Sequence, residues 1–153
     1  MYVIKEPLSY GQRLLLNLVD ERRLRSFCTE REIPFHYTYR VATGKQTPPP
    51  TLIWSLRDYI HPALWFYDEG EPYEIIPFQV KRKEENPNKT IAMKDFREYA
   101  FQDLKDLSKK HSIKFYTLYN IHIGKYVPSF LAIKQFMKLY KPELWFMYAE
   151  EKQ

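Results

Sequence analysis

The side chains able to do chemistry in this 153-residue chain are few and scattered. Its four histidines, His36, His61, His111 and His122, share no metal-ligand spacing with each other or with the single cysteine, Cys28. One cysteine cannot form an internal disulfide, and Cys28 falls on an apolar helix stripe, where it reads as a small core residue. Carboxylates occur in runs such as DERR and EYAFQD, which read as helix surface, and no nucleophile has a base and an oxyanion donor in sequence patterns beside it. With four glycines there is no phosphate-cradling loop. The expectation is therefore a binding protein, not an enzyme, with no metal and no cofactor. What remains is recognition chemistry. Phe35/Tyr39 and Phe115/Tyr119 are aromatic pairs at i, i+4, with His36, Arg40 and Lys45 near the first and Tyr116, Asn120 and Lys125 near the second. Taken alone, such pairs stabilise any helix surface, and Arg40 and Asn120 are solvated polar groups.

These candidates recur because the chain repeats itself. Residues 21–71 lie over residues 101–151 without a gap, at an offset of 80. The coincident pairs are Leu24/Leu104, Ile33/Ile113, Phe35/Phe115, Tyr39/Tyr119, Gly44/Gly124, Lys45/Lys125 and Pro48/Pro128. They continue with Ile53/Ile133, Pro62/Pro142, Leu64/Leu144, Trp65/Trp145, Phe66/Phe146 and Glu71/Glu151. So many rare residue types in one register mark a tandem duplication, and two copies are too few for a solenoid. The expected division is a first unit over 1–71, a linker over 72–89 and a second unit over 90–153.

Each unit reads as short helices. Residues 9–19 form an opening helix capped by Ser9, and residues 91–99 its counterpart. Leu24, Phe27 and Cys28 make the apolar stripe of the next helix. In the second unit, Leu104 and Leu107 begin one that Asp103 caps and that ends near His111. A turn holding Ile33 or Ile113 leads to FHYTYRVA or FYTLYNIH, with Thr38/Val41 and Leu118/Ile121 facing inward. Gly44 and Gly124 stop these helices with positive φ. Proline-containing loops follow, then a helix burying Leu52, Ile53 and Leu56, or Ile133, Phe136 and Met137. Pro62 and Pro142 open a last short helix that carries Trp65–Phe66 or Trp145–Phe146 back onto the unit. Within the linker, Ile76, Phe78 and Val80 alternate like a strand, which is expected to pair with residues 2–4, although Pro77 opposes a central position.

Two short helices about a tight turn, then Gly-Lys, a proline loop and another helix, resemble the lambda-repressor-like helix-turn-helix family of phage repressors and Cro proteins. The likeness rests on Ile33 and Ile113, on their spacing to Gly44–Lys45 and Gly124–Lys125, and on Pro48 and Pro128. It implies an all-α fold of two such units, to which the expected pairing of the N-terminus with the linker would add a small β element. It also implies that the second helix of each motif enters a DNA major groove. The outward residues are then Phe35, His36, Tyr39 and Arg40, and Phe115, Tyr116, Tyr119 and Asn120. Arg40 would bond guanine and Asn120 adenine. Lys45, Lys125 and the KRK run at 81–83 would contact phosphate. Leu24 and Leu104 stand where the family often has a phosphate-bonding Gln, and Ala42 and His122 where it often has Glu, so the phosphate contacts need not follow the family's scheme.

Charge adds a direction. Residues 1–71 hold 9 Lys/Arg and 9 Asp/Glu, whereas residues 72–153 hold 15 and 10, so the entire +5 excess lies in the second half. A basic half fits a polyanion, and equally a solvated lysine-rich surface. No apolar run is long enough to span a membrane and no signal-peptide layout opens the chain, which points to a cytoplasmic protein. The expected function is sequence-specific binding of double-stranded DNA by a transcriptional regulator acting as a pseudo-dimer, with further pairing of chains into a homodimer left open. Two other readings stay open. A protein partner fits the aromatic crowding and the neutral first unit, and RNA fits aromatic stacking beside basic residues.

Overall fold

The computed structural model describes residues 3–81 and 86–153. Its regular structure is helical, and among the described residues there is no β-sheet, only two isolated bridges, Ser9–Asp68 and Phe78–Lys152. The chain divides into two compact units, Met1–Glu74 and Ile75–Gln153. None of the described helices is long and apolar enough to cross a membrane.

In the first unit, α1 (Tyr10–Asp20) starts where Ser9 accepts the Gln12 N–H and the Gln12 side chain accepts the Ser9 N–H, a reciprocal cap. α2 (Leu24–Arg31), α3 (Phe35–Ala42) and α4 (Pro50–Ser55) follow, then a 3₁₀ turn at Pro62–Trp65. In the second unit, α5 (Ile91–Arg97), capped by Thr90, is followed by α6 (Phe101–His111), α7 (Phe115–His122) and α8 (Phe130–Gln135). A 3₁₀ turn at Pro142–Trp145 corresponds to the earlier one. Three elements recur with identical length at an offset of 80: α3 with α7, α4 with α8, and the two proline-led turns. Thr38, Val41, Leu118 and Ile121 face the core, as do Ile53, Leu56, Ile133, Phe136 and both Trp-Phe pairs. Met137 is only half-buried.

The turns of the two motifs match to single hydrogen bonds. Glu32 and Ser112 hold φ of 56° and 54°, and the N–H groups of Ile33 and Ile113 reach back to the carbonyls of Cys28 and Ser108. Gly44 and Gly124 both sit at φ 79°. The Gly44 and Lys45 N–H groups bond Val41 and Arg40, and those of Gly124 and Lys125 bond Ile121 and Asn120, so each helix closes in the same way.

Three expectations need correction. Asp103 does not precede its helix; α6 begins at Phe101, and the Asp103 carboxylate accepts the Ala100 N–H from inside the first turn. Among the described residues, the alternating linker residues pair with the C-terminus, Phe78 bridging Lys152, and not with Val3 or Ile4. The Gln79 N–H bonds the Glu151 carbonyl and Gln153 bonds Pro77, while Lys5 N–H bonds Thr43; Tyr2 lies outside the described residues. Residues 75–81 thus belong to the second unit. Carboxylates fix them there: Glu143 Oε2 accepts the Ile76 N–H at 2.6 Å, and Glu151 accepts the N–H groups of Lys81 and Tyr148. Asn120, expected on the outer face of α7, is instead buried.

Candidate nucleic-acid interface

α3 and α7 are positioned by their inner faces, so their outer faces are fixed. Thr38 and Val41 are fully buried, which turns Phe35, His36, Tyr39 and Arg40 away from the core. His36, Arg40 and Lys45 are exposed, and Phe35 and Tyr39 half-buried. The Arg25 guanidinium, on α2, lies 4.1 Å from the Phe35 ring centroid, and Phe35 meets His36 and Tyr39 at 5.4 and 6.0 Å. An arginine over an aromatic face keeps its charge while covering apolar surface. A cleft of about 220 Å³ beside this cluster is lined by Arg22, Leu24, Arg25, Phe35 and Tyr39. Arg40 forms no ion pair among the described residues, so its five donors face solvent.

α7 uses the same frame differently. Tyr116 and Tyr119 are exposed, Phe115 is half-buried and Lys125 exposed. Phe115 and Tyr119 stack at 6.3 Å, and Phe101 of α6 meets Phe115 edge-on at 4.9 Å. Asn120 does not face outward as expected; it is 6% exposed. The N–H groups of Lys125 and Tyr126 both bond its carbonyl, so the chain after α7 folds back against it. An amide is too short to escape that turn, whereas arginine, at the matching position 40, is long enough. Asn120 is therefore not placed to read a base edge.

Neither α3 nor α7 has a side-chain cap, since Pro34 and Lys114 precede them; in α7 the Thr117 N–H bonds the Lys114 carbonyl instead. Leu24 and Leu104 are buried at 2% and 0% and offer no polar group to a ligand. His122 bonds the Phe96 carbonyl through Nδ1, a packing role. Of the KRK run, Lys81 is exposed with its N–H on Glu151, and Arg82 and Lys83 lie outside the described residues. Among the described residues, no group of three or more His, Cys, Asp and Glu could hold a metal ion. Burial raises the Cys28 thiol pKa, and Cys28 is 1% exposed.

Sequence reasoning missed Arg25, Phe101, Lys105 and Tyr126. One signal was legible: residues 107–142 contain seven lysines and no carboxylate, whereas the matching residues 27–62 contain Glu30, Glu32 and Asp58 among four Lys/Arg. Comparison with protein-family models, curated proteins and solved structures finds no match.

Proposed function

We propose that this protein is a sequence-specific double-stranded DNA-binding transcriptional regulator, built from two lambda-repressor-like helix-turn-helix units that act as a covalent pseudo-dimer. It works by binding, not catalysis, in the cytoplasm. The observation that carries the reading is the twice-repeated frame in which an uncapped helix follows a tight turn with its first-turn side chains outward. That frame suits a helix entering the major groove, with Arg40 toward guanine O6/N7 and His36 beside it. Lys45, Lys125 and the lysines of the second unit supply phosphate contacts, and fusion gives the second unit a high local concentration once the first has docked.

The test is fluorescence anisotropy of a labelled random-sequence duplex across a salt series, followed by selection of bound sites. The expected result is binding that weakens steeply with salt, and an asymmetric selected site. Arg40→Ala is expected to relax selection at one position at a cost of about 1–3 kcal/mol, while Asn120→Ala leaves the selected sequence unchanged. No duplex binding at low salt overturns the proposal.

A further inference from the structure

The second unit exposes more aromatic surface around α7 than a buried-core argument requires. Phe101 is 55% exposed, Tyr116 68% and Tyr126 56%, with Tyr119 beside them at 37%. The rings are not scattered. Phe101 packs on Phe115 and Tyr119, Tyr116 and Tyr119 are three residues apart on one helix, and the Tyr126 N–H bonds the last turn of α7. Lysines ring them: the Lys105 ammonium lies 5.2 Å from the Phe101 centroid, Lys125 lies 5.4 Å from that of Tyr126, and Lys114 opens α7. At the matching places the first unit carries Glu21, His36 and Gln46 instead of Phe101, Tyr116 and Tyr126.

We infer that this face binds an unpaired nucleic-acid strand, its bases stacking on Phe101, Tyr116 and Tyr126 and its phosphates on Lys105, Lys114 and Lys125. Exposed π-faces interleaved with ammonium groups match what a single strand offers, flat bases regularly spaced along a polyanion. Bases within a duplex are already stacked on one another and leave these rings without partners. From residue 107 to 142 the segment has no carboxylate to repel phosphate; on α6, Asp103 and Asp106 are engaged by the Ala100 N–H and the Gln102 side chain. The inference is separate from the duplex contacts proposed for His36 and Arg40 on α3, which it leaves in place.

The experiment titrates labelled oligothymidylate, oligouridylate and random duplex with the full-length protein, and with Tyr116→Ala, Phe101→Ala/Tyr126→Ala and Arg40→Ala, each checked for helix content by circular dichroism. Both single strands are expected to bind the wild type, and the tighter one identifies DNA or RNA as the source. Tyr116→Ala should weaken single-strand binding about ten-fold and the double variant more, while Tyr116→Phe retains it. Arg40→Ala should weaken only the duplex. Absence of single-strand binding at low salt overturns the inference, as does single-strand binding indifferent to the aromatic variants. So does an aromatic face whose loss abolishes capture of a protein partner and no oligonucleotide. Single-strand binding without duplex binding would remove the proposed function and leave this inference standing; the reverse would do the opposite.

Discussion

One frame, repeated, carries two different surfaces. In the first unit α3 presents His36 and Arg40, and Arg25 shields Phe35. In the second, α7 presents Tyr116 and Tyr119, and Asn120 is buried. The inner positions hardly differ: Val41 and Ile121, Ile53 and Ile133, Trp65 and Trp145 are buried in both. Inner positions are constrained by packing, where a change of one methylene is felt. Outer positions are free to diverge, and here they diverge in chemical kind.

The comparison extends to matched residues with unequal structural duties, and these break it most visibly. Glu71 and Glu151 each accept an N–H three residues earlier, from Asp68 and Tyr148. Glu71 is exposed and has its carbonyl on the Tyr10 hydroxyl, whereas Glu151 is fully buried and also holds Lys81. Removing the buried carboxylate orphans a buried amide, so Glu151→Ala should cost about 2–3 kcal/mol and Glu71→Ala about 1 kcal/mol or less. Denaturant midpoints measure both, and faster amide exchange at Lys81 and Tyr148 in Glu151→Ala identifies the cause. Equal costs would show that the second clasp adds nothing.

The next contrast lies under the tryptophans. A Cβ on Gly11 would come 2.7 Å from the Trp65 ring, and Trp65 is 1% exposed. Gly11 is the second residue of α1, the place Ala92 holds in α5, since the Tyr10 and Ile91 N–H groups bond the matched carbonyls of Tyr67 and Met147. Gly11→Ala should therefore destabilise the first unit by about 1–3 kcal/mol through overpacking. Ala92→Gly should cost only about 1 kcal/mol, the helix-propensity difference. Thermal unfolding of the two variants separates these, and a stabilised Gly11→Ala would refute the close approach.

Smallest, and opposite in sign along the pH axis, are two titrations. A hydrogen bond from Arg31 holds the Asp58 carboxyl below its ordinary value; the pair closes at 2.8 Å at a half-exposed site. A carboxylate depressed in the folded state contributes stability above its unfolded pKa and loses it as pH falls through the folded one, so the loss comes below about pH 4. Solvent screening keeps it to about 0.5 kcal/mol. In the second unit Tyr140 is 8% exposed, and burial first, then its bonds to Asp95 and Tyr99, raise its hydroxyl above the ordinary tyrosine range. A raised group contributes below its unfolded pKa and loses that contribution as pH rises, so the second unit should weaken above about pH 10. Asp58→Asn should flatten the acid limb of a stability–pH curve, and Tyr140→Phe the alkaline limb; either limb surviving its substitution would exclude that group.

Much of the frame was legible because it is local. Ser9, Gly44, Gly124, Pro62 and Pro142 act through their own backbone, and all lie where their residue types require. Glu32 and Ser112 were not legible, because a left-handed turn is usually signalled by glycine and here the surrounding helices impose it on other residues. The pairing of residues 75–81 was missed because strand alternation gives a face but not a partner. Asn120 was misplaced for a similar reason: helix periodicity predicts which way a residue points, and says nothing of the chain that folds back over it. The aromatic pairs were legible as pairs, and their edge contacts with Phe101 only from the fold.

The hydrogen bonds that tie Ile76, Gln79 and Lys81 to Glu143 and Glu151 also decide where this chain can be cut. A transplant of the second repeat starting at residue 90 would leave the buried Glu143 carboxylate without its amide donor, and would strip the Glu151 carbonyl and carboxylate of one bond each. A transplant starting at residue 75 carries its own fastening. Portability here belongs to seven residues that lie outside the repeated sequence.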